Sequence, residues 1–327
     1  MKALSGMIFI ILAAFCAIAA EKRTYPCHRL AQAPQIDGKI DEAAWKNIPE
    51  ATGFYILGGS EEYSQYALEK QTFFRAGWTE DAVYIIVRAE ENAPDKMIAK
   101  AEGGKTVWAG DCIELFFFPN AAVTYVQLAV NCAGLMWSDK HDQPGAWEAK
   151  ALTDKTQWIL ELRIPFAALA EKPPQEGEQW LVNIARNMPS EPAKERTTSW
   201  PRLEKSKGFH DVKHFACFIF MGSAGNESAT EEAELRRQYD QYLDGRLRKL
   251  ATLAGEYERA FDEAQTPVAV GGEGDQLRQT WKQIAELAAQ THPDMLKTRA
   301  MCRAGIDLQK KSDDFIGRRM LDKLFTN

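Results

Sequence analysis

The chain lacks the local motifs of the commoner catalytic chemistries. It has no Gly-x-Ser-x-Gly elbow, no His-Glu-x-x-His helix and no phosphate-binding loop. Past the amino terminus it has no apolar run long enough to span a bilayer, so the reading contains no membrane span. It also lacks an excess of basic charge. The formal net charge is -6, and loss of Lys2 would make it one unit more negative, which argues against a nucleic-acid partner. The acids are interspersed with Lys and Arg, as on an ordinary solvated surface. Cysteine is sparse: Cys27, Cys112, Cys132, Cys217 and Cys302 are spaced too widely and irregularly for a zinc site or a dense disulfide framework. Cys112, Cys132 and Cys217 lie in apolar strand patterns, where a free thiol serves as a small hydrophobe. One bridge remains open in an oxidising compartment, with no pairing assigned by sequence.

What is present begins with residues 1–20, which read as a secretory signal. Lys2 supplies the positive start, Met7–Ile18 a short apolar core, and Ala17-Ile-Ala-Ala20 the small residues that suit cleavage. Phe15 before Cys16 fits poorly with lipid anchoring. The protein is therefore expected to be secreted or periplasmic.

Two textures follow. Residues 27–222 read as short strands divided by turns: Gln71–Ala76, Ala82–Glu90, Ile113–Phe118, Tyr125–Asn131, Trp147–Leu152, Trp158–Ile164, Trp180–Asn187 and His214–Met221. That rhythm predicts a mainly β sandwich of antiparallel sheets, jelly-roll or immunoglobulin-like. Asp41 is placed to cap a helical turn that turns Trp45 inward. After a polar linker at residues 222–228, residues 229–327 take a helical period. One helix carries Leu235 to Phe261, a Gly271–Gly274 loop follows, a second carries Leu277, Trp281, Ile284 and Leu287, and a third runs from about Asp294 to Phe325. These helices either bundle or clasp the sandwich.

The most informative stretch is Trp108-Ala-Gly-Asp111-Cys-Ile-Glu114-Leu-Phe-Phe-Phe118. As a strand it puts Cys112, Glu114, Phe116 and Phe118 on one face and Ile113, Leu115 and Phe117 on the other. Apolar residues on both faces mean a strand covered from both sides, so Glu114 is half buried and needs a polar partner. Tyr125, Gln127, Ala129 and Asn131 share a face of the next strand, and Asn183, Ala185 and Asn187 share one of a third. If these faces join, they form a concave sheet of amides and a carboxylate with Trp108 at the rim. Saccharides suit such a surface: hydroxyls bond amides and carboxylates, and C–H faces stack on rings. The competing reading is that Asn183 and Asn187 serve only backbone groups while Trp108 caps a core. Arg186, beside this face in sequence, points away by strand alternation, and a structural salt bridge explains it as well as ligand contact.

Six ordered segments now give a resemblance. Pro34-Gln-Ile-Asp37-Gly38-Lys-Ile-Asp41-Glu42-Ala-Ala-Trp45, Trp78-Thr-Glu-Asp-Ala-Val-Tyr84, Trp108-Ala-Gly-Asp111-Cys-Ile-Glu114, Asn183-Ile-Ala-Arg-Asn187, Thr198-Ser-Trp200 and Phe209-His-Asp-Val-Lys-His-Phe215 resemble the family 9 carbohydrate-binding modules and their DOMON-like relatives. The resemblance implies a non-catalytic β-sandwich holding the end of a glucan or xylan chain between two aromatic side chains. Such modules are usually appended to secreted hydrolases of polysaccharide catabolism and can carry structural calcium. Carried over, Trp108 and Phe209 are the two walls and Glu114 accepts sugar hydroxyls. Ala129 and Ala185 stand where the family has a contacting arginine and glutamine, which leaves Gln127 and Asn187, on the same faces, as replacement contacts, with Arg186 a further candidate only by its place beside the site in sequence. Trp200 falls at a core position. Asp37 and Asp41 are the calcium candidates, although a turn and a helix cap explain both.

Other readings remain at this level. Asp111 and Glu114 would be the carboxylates of a glycoside hydrolase, but they point to opposite faces of one strand. A structural protein with a degenerate sandwich site would bind partners through its helices. Some related sandwiches hold haem through Met or His, yet nothing pairs Met136, Met188 and His210. His141, His210 and His214 have no obvious nucleophile beside them.

Overall fold

The computed structural model describes residues 22–40, 43–60, 65–99, 107–120, 122–140, 145–191, 196–264 and 272–326. The signal-like segment, Asp41 and His141 lie outside the described residues. Twelve strands come first: β1 (Thr24–Arg29), β2 (Tyr55–Ile56), β3 (Thr72–Trp78), β4 (Ala82–Glu90), β5 (Cys112–Phe118), β6 (Val126–Asn131), β7 (Met136–Ser138), β8 (Glu148–Thr153), β9 (Gln157–Pro165), β10 (Gln179–Asn187), β11 (Thr197–Ser199) and β12 (Ala216–Ser223). Three helices follow among the described residues: α1 (Ser228–Glu263), α2 (Glu273–Ala288) and α3 (Met295–Thr326).

The strands form one continuous sheet in the order β7-β6-β5-β10-β12-β1-β3-β4-β9-β8, with β11 and β2 attached to β10. It folds over on itself into the expected sandwich, and residues of both halves share one core. Ile113, Leu115 and Phe117 of β5 and Val182 and Ile184 of β10 lie in the same buried cluster as Phe74, Val87, Leu160 and Leu162. Each fully buried side chain of this size stabilises by about 1.5–3 kcal/mol. One departure from an all-antiparallel sheet concerns β1, which runs parallel to both β12 and β3.

Strands that are apolar on both faces are covered on both, as alternation requires. On β4, Val83, Ile85 and Val87 enter the main core, while Ala82, Tyr84 and Ile86 are covered by Leu30, Trp45 and Ile48. Trp45 closes the 3-10 turn Ala43–Trp45 and is buried as expected. β5 follows the same rule, and what covers its second face is the functional question.

The helical region begins at Ser228. On α1 the buried residues Tyr239, Leu243, Leu247, Leu250, Ala254, Tyr257 and Phe261 recur every three or four positions and make one stripe. Tyr257 stacks on Trp281 of α2 at 4.7 Å, and Trp281 donates to Ser312 Oγ of α3 at 2.9 Å. Of the expected Gly271–Gly274 loop, Gly271 lies outside the described residues, and Glu273 and Gly274 already belong to α2. A Cβ at Gly274 would come within 2.6 Å of the Phe315 ring, so glycine there permits close approach of α2 and α3.

The helices also clasp the sandwich. Tyr66 stacks on Tyr55 at 4.4 Å and meets Tyr239 of α1 at 5.1 Å. Gly53 adopts φ +80°, and a Cβ there would lie 2.9 Å from the Tyr239 Cβ. Arg299 of α3 forms a two-pronged ion pair with Glu90, one arm at 2.8 Å, and His28 Nε2 pairs with Glu231 at 2.8 Å. The five cysteines among the described residues are unbridged. Among the described residues no helix is long and apolar enough to cross a membrane.

Candidate functional site

Register places the side chains of the second face. Glu114 of β5 lies opposite Ala129 of β6 and Ala185 of β10. Phe116 lies opposite Gln127 and Asn183, and Cys112 opposite Asn131 and Asn187. On β7, Trp137 lies opposite Ala129. The three faces inferred from alternation are therefore one surface, with two alanines beside a single carboxylate.

Glu114 is buried, with 6% of its surface exposed. Gln127 Nε2 donates to its Oε2 at 2.8 Å. Among the described residues nothing donates to Oε1. Burial pushes the Glu114 carboxyl up to about 7, and the Gln127 hydrogen bond only partly offsets this. A neutral amide is a weak counterpart for a buried carboxylate, so the second oxygen is poised for further donors.

The two aromatic walls of the expected clamp are held by one strand. Asn187 Nδ2 donates to the Trp108 carbonyl at 2.6 Å. Asn183 Nδ2, on the same face of β10, donates to the Phe209 carbonyl at 3.1 Å. The two amides thus fix the loops carrying Trp108 and Phe209 on either side of Glu114. Asn187, expected as a ligand contact, spends its amide N–H on the Trp108 carbonyl and so positions that loop, as the competing reading of a backbone-serving amide had it. The loop it fixes comes from far away in sequence, which is why spacing along β10 could not reveal its partner.

Trp108 is 39% exposed and meets Trp137 edge-on at 4.8 Å and 84°. Sequence reading missed Trp137, because β7 has only three residues and shows too little alternation. Over Cys112 and Ala129, Val107 forms a small apolar patch against which Trp137 packs. An indole covers the alanine that stands where the resemblance places an arginine.

Phe209 differs from the expected free-standing wall. It packs with Phe116, Ala185, Leu203 and Phe215 and is only 9% exposed. Its ring contributes mostly to the floor. The more accessible rings at that end are Tyr125 and His210, joined by a Tyr125 Oη–His210 Nδ1 hydrogen bond of 2.7 Å. Gly208, at φ +58° and ψ -143°, kinks the Lys205–His210 turn that presents Phe209 and His210. Asp211, buried at the end of that turn, accepts from the Glu204 amide at 2.9 Å and pairs with His214 Nδ1 at 2.5 Å. Burial opposes its ionisation, but those partners outweigh it and hold its carboxyl below the usual range.

Arg186 is corrected outright. It is fully buried on the core face, with Nη2 donating to the Glu90 carbonyl at 2.9 Å and lying 3.5 Å from Glu91 Oε2. Strand alternation turns it away from Glu114, so it cannot touch a ligand on that surface. Asp111 is equally remote from ligand: its oxygens accept from the Ile98 amide and the Ser190 hydroxyl, each at 2.7 Å. Trp200 is core, edge-on to Phe74 at 4.9 Å.

Of the calcium candidates, Asp41 lies outside the described residues. Asp37 spends both oxygens on Lys39, at 2.9 Å to the amide and 3.0 Å to Nζ. Glu204, Asp211 and His214 bring ligand-type atoms within 4.8 Å of one another. However, the Lys207 ammonium lies 3.9 Å from Asp211 Oδ1, a positive charge beside the position a cation would need.

The profile of a family described as carbohydrate family 9 binding domain-like matches residues 36–220. The chain belongs to this family. The matched span runs from just before the turn at Trp45 into β12 and includes every side chain of the Glu114 face. Among solved structures, a Bacteroides uniformis protein with a proposed carbohydrate-binding role is 16% identical, with 61% of this chain and 100% of that one covered at a TM-score of 0.50. A family 9 module from Caldicellulosiruptor kristjanssonii in complex with cellotriose is 14% identical, covering 63% of this chain and 97% of its own at a TM-score of 0.47. The same organism's module in complex with glucose is 15% identical, covering 62% and 98%, at 0.46. The likeness to the Bacteroides uniformis protein, at 16% identity, is one of fold alone. No curated protein matches the chain. The helices α1, α2 and α3 lie outside the family-9-like span.

Proposed function

We propose that the Glu114 face binds an oligo- or polysaccharide of the glucan or xylan type without transforming it. The observation that carries this reading is Glu114 itself: a buried carboxylate with one oxygen that no described residue claims, set between the Trp108–Trp137 corner and the Phe209 loop. Membership of a carbohydrate-binding family supports it. Sugar C–H faces would stack on Trp108, with Trp137 bracing it from the side, while hydroxyls donate to Glu114 Oε1. Gln127 holds the carboxylate in place and offers its own carbonyl at the rim. Hydrolysis by a carboxylate pair finds no support, since Asp111 is engaged elsewhere in the protein interior. We read the protein as exported, on the strength of residues 1–20, and the helices as a packing unit for the sandwich.

Isothermal calorimetry with cello- and xylo-oligosaccharides tests this. Trp108→Ala should weaken binding about tenfold or more, equivalent to roughly 1.4 kcal/mol. An unchanged affinity in that variant would remove the stacking mechanism. Release of reducing sugar that disappears in Glu114→Gln would replace binding with catalysis.

A further inference from the structure

The geometry points to a second saccharide subsite formed by Tyr125 and His210, so that this face holds a chain of at least two sugar residues. The inference rests on the saccharide reading above and extends it to the length of ligand recognised.

Tyr125 immediately precedes β6 and continues the alternation of Gln127 and Ala129. Its ring packs on Phe116 at 5.5 Å and on Phe215 at 6.1 Å, so it lies on the Glu114 face. His210 stands edge-on to Phe116 at 5.4 Å and is tilted 33° from Tyr125. Phe116 is completely buried, which gives both rings a fixed base. The 2.7 Å bond between Tyr125 Oη and His210 Nδ1 locks the pair. A ligand arriving there meets rings already in position, and little side-chain freedom is lost on binding.

The hydrogen-bonding arithmetic is independent of the tautomer. If Tyr125 donates to Nδ1, the neutral imidazole carries its proton on Nε2 and presents that N–H outward. If Nδ1–H donates instead, the Tyr125 hydroxyl is free to donate and Nε2 becomes an acceptor. Either way the pair offers a donor beside an aromatic plate, the combination that sugar rings use.

Spacing separates this pair from the first subsite. Trp137 lies opposite Ala129, and Tyr125 precedes Ala129 by four strand positions on the same face. At about 3.3 Å per residue the backbone positions that carry the two groups are offset by roughly 13 Å along the strand, longer than one pyranose ring. Gln127 lies between them along β6, and Glu114 lies beside Ala129 on the neighbouring strand β5. Phe209, only 9% exposed, cannot supply the ring surface at the far end.

The test is calorimetry of the full chain with glucose, cellobiose and cellotriose, with thermal melts to verify folding. Cellotriose should bind at least tenfold more tightly than glucose. Tyr125→Ala and His210→Ala should bring that ratio down to about one. Tyr125→Phe, which keeps the ring but drops the bond to His210, should remove part of the gain. Equal affinity for glucose and cellotriose in the wild type, or a ratio preserved in both alanine variants, would overturn the second subsite while leaving the first intact. Failure of all three sugars to bind would sink the saccharide reading itself, and the subsite with it.

Discussion

At the residue scale the decisive group is Glu114. Its carboxyl titrates at about 7, because burial outweighs the single Gln127 bond. Sugar hydroxyls donate best to the ionised form, so affinity should rise between pH 6 and pH 8 in wild type and stay flat in Glu114→Gln; calorimetry at three pH values checks this. Stability runs the other way. A folded value above the ordinary 4.5 means the native state holds its proton longer than the unfolded chain does. The associated stabilisation is complete below pH 4.5 and is lost as pH rises through 7, up to roughly 3 kcal/mol by the usual conversion. Glu114→Gln should therefore melt progressively higher than wild type as pH increases from 5 to 8. Glu114 was legible in the sequence because a lone acid in a doubly apolar strand stands out. For Asn187 service to a backbone group stood only as the competing reading, and which carbonyl it serves was not legible, since that carbonyl is 79 residues away.

At the element scale, two glycines set how loops and helices meet the sheet. Gly208 takes a backbone conformation that residues with a Cβ rarely adopt, and it aims Phe209 and His210. Gly208→Ala should cost on the order of 1–3 kcal/mol of local strain and weaken saccharide binding more than it lowers the melting temperature. Gly53→Ala combines positive φ with a 2.9 Å approach to Tyr239, so it should destabilise the junction with α1. Chemical denaturation should then show two transitions rather than one. The strand and helix positions themselves were readable from period two and period 3.6. The short strands β2, β7 and β11 were not, because two or three residues carry no measurable alternation, and β7 hid Trp137 for that reason; the six-residue β1 was missed as well, because Pro26 interrupts its run.

At the scale of the whole molecule, the neighbouring acids Glu90 and Glu91 face in different directions and serve two purposes. Glu90 holds Arg299 of α3, while Glu91 meets Arg186 in the interior and Lys70 at 2.6 Å. Glu91→Ala would strand the buried Arg186 guanidinium and should cost about 3–5 kcal/mol in urea melts. Arg299→Ala leaves the Glu114 face untouched and loosens the clasp. It should speed limited proteolysis in the segment between β12 and α1 with saccharide affinity unchanged.

By itself the sequence determined the sandwich, the three helices, the family and the face on which Glu114 lies, since periodicity, turn residues and ordered motifs are local or additive signals. Tertiary structure alone decided that β10 pins both aromatic loops, that Phe209 sinks into the floor, and that Trp137 and the Tyr125–His210 pair stand open beside it. Those outcomes depend on which distant backbone carbonyl reaches a given amide and on which rings compete for the same buried volume, and neither is written in the spacing of any one segment.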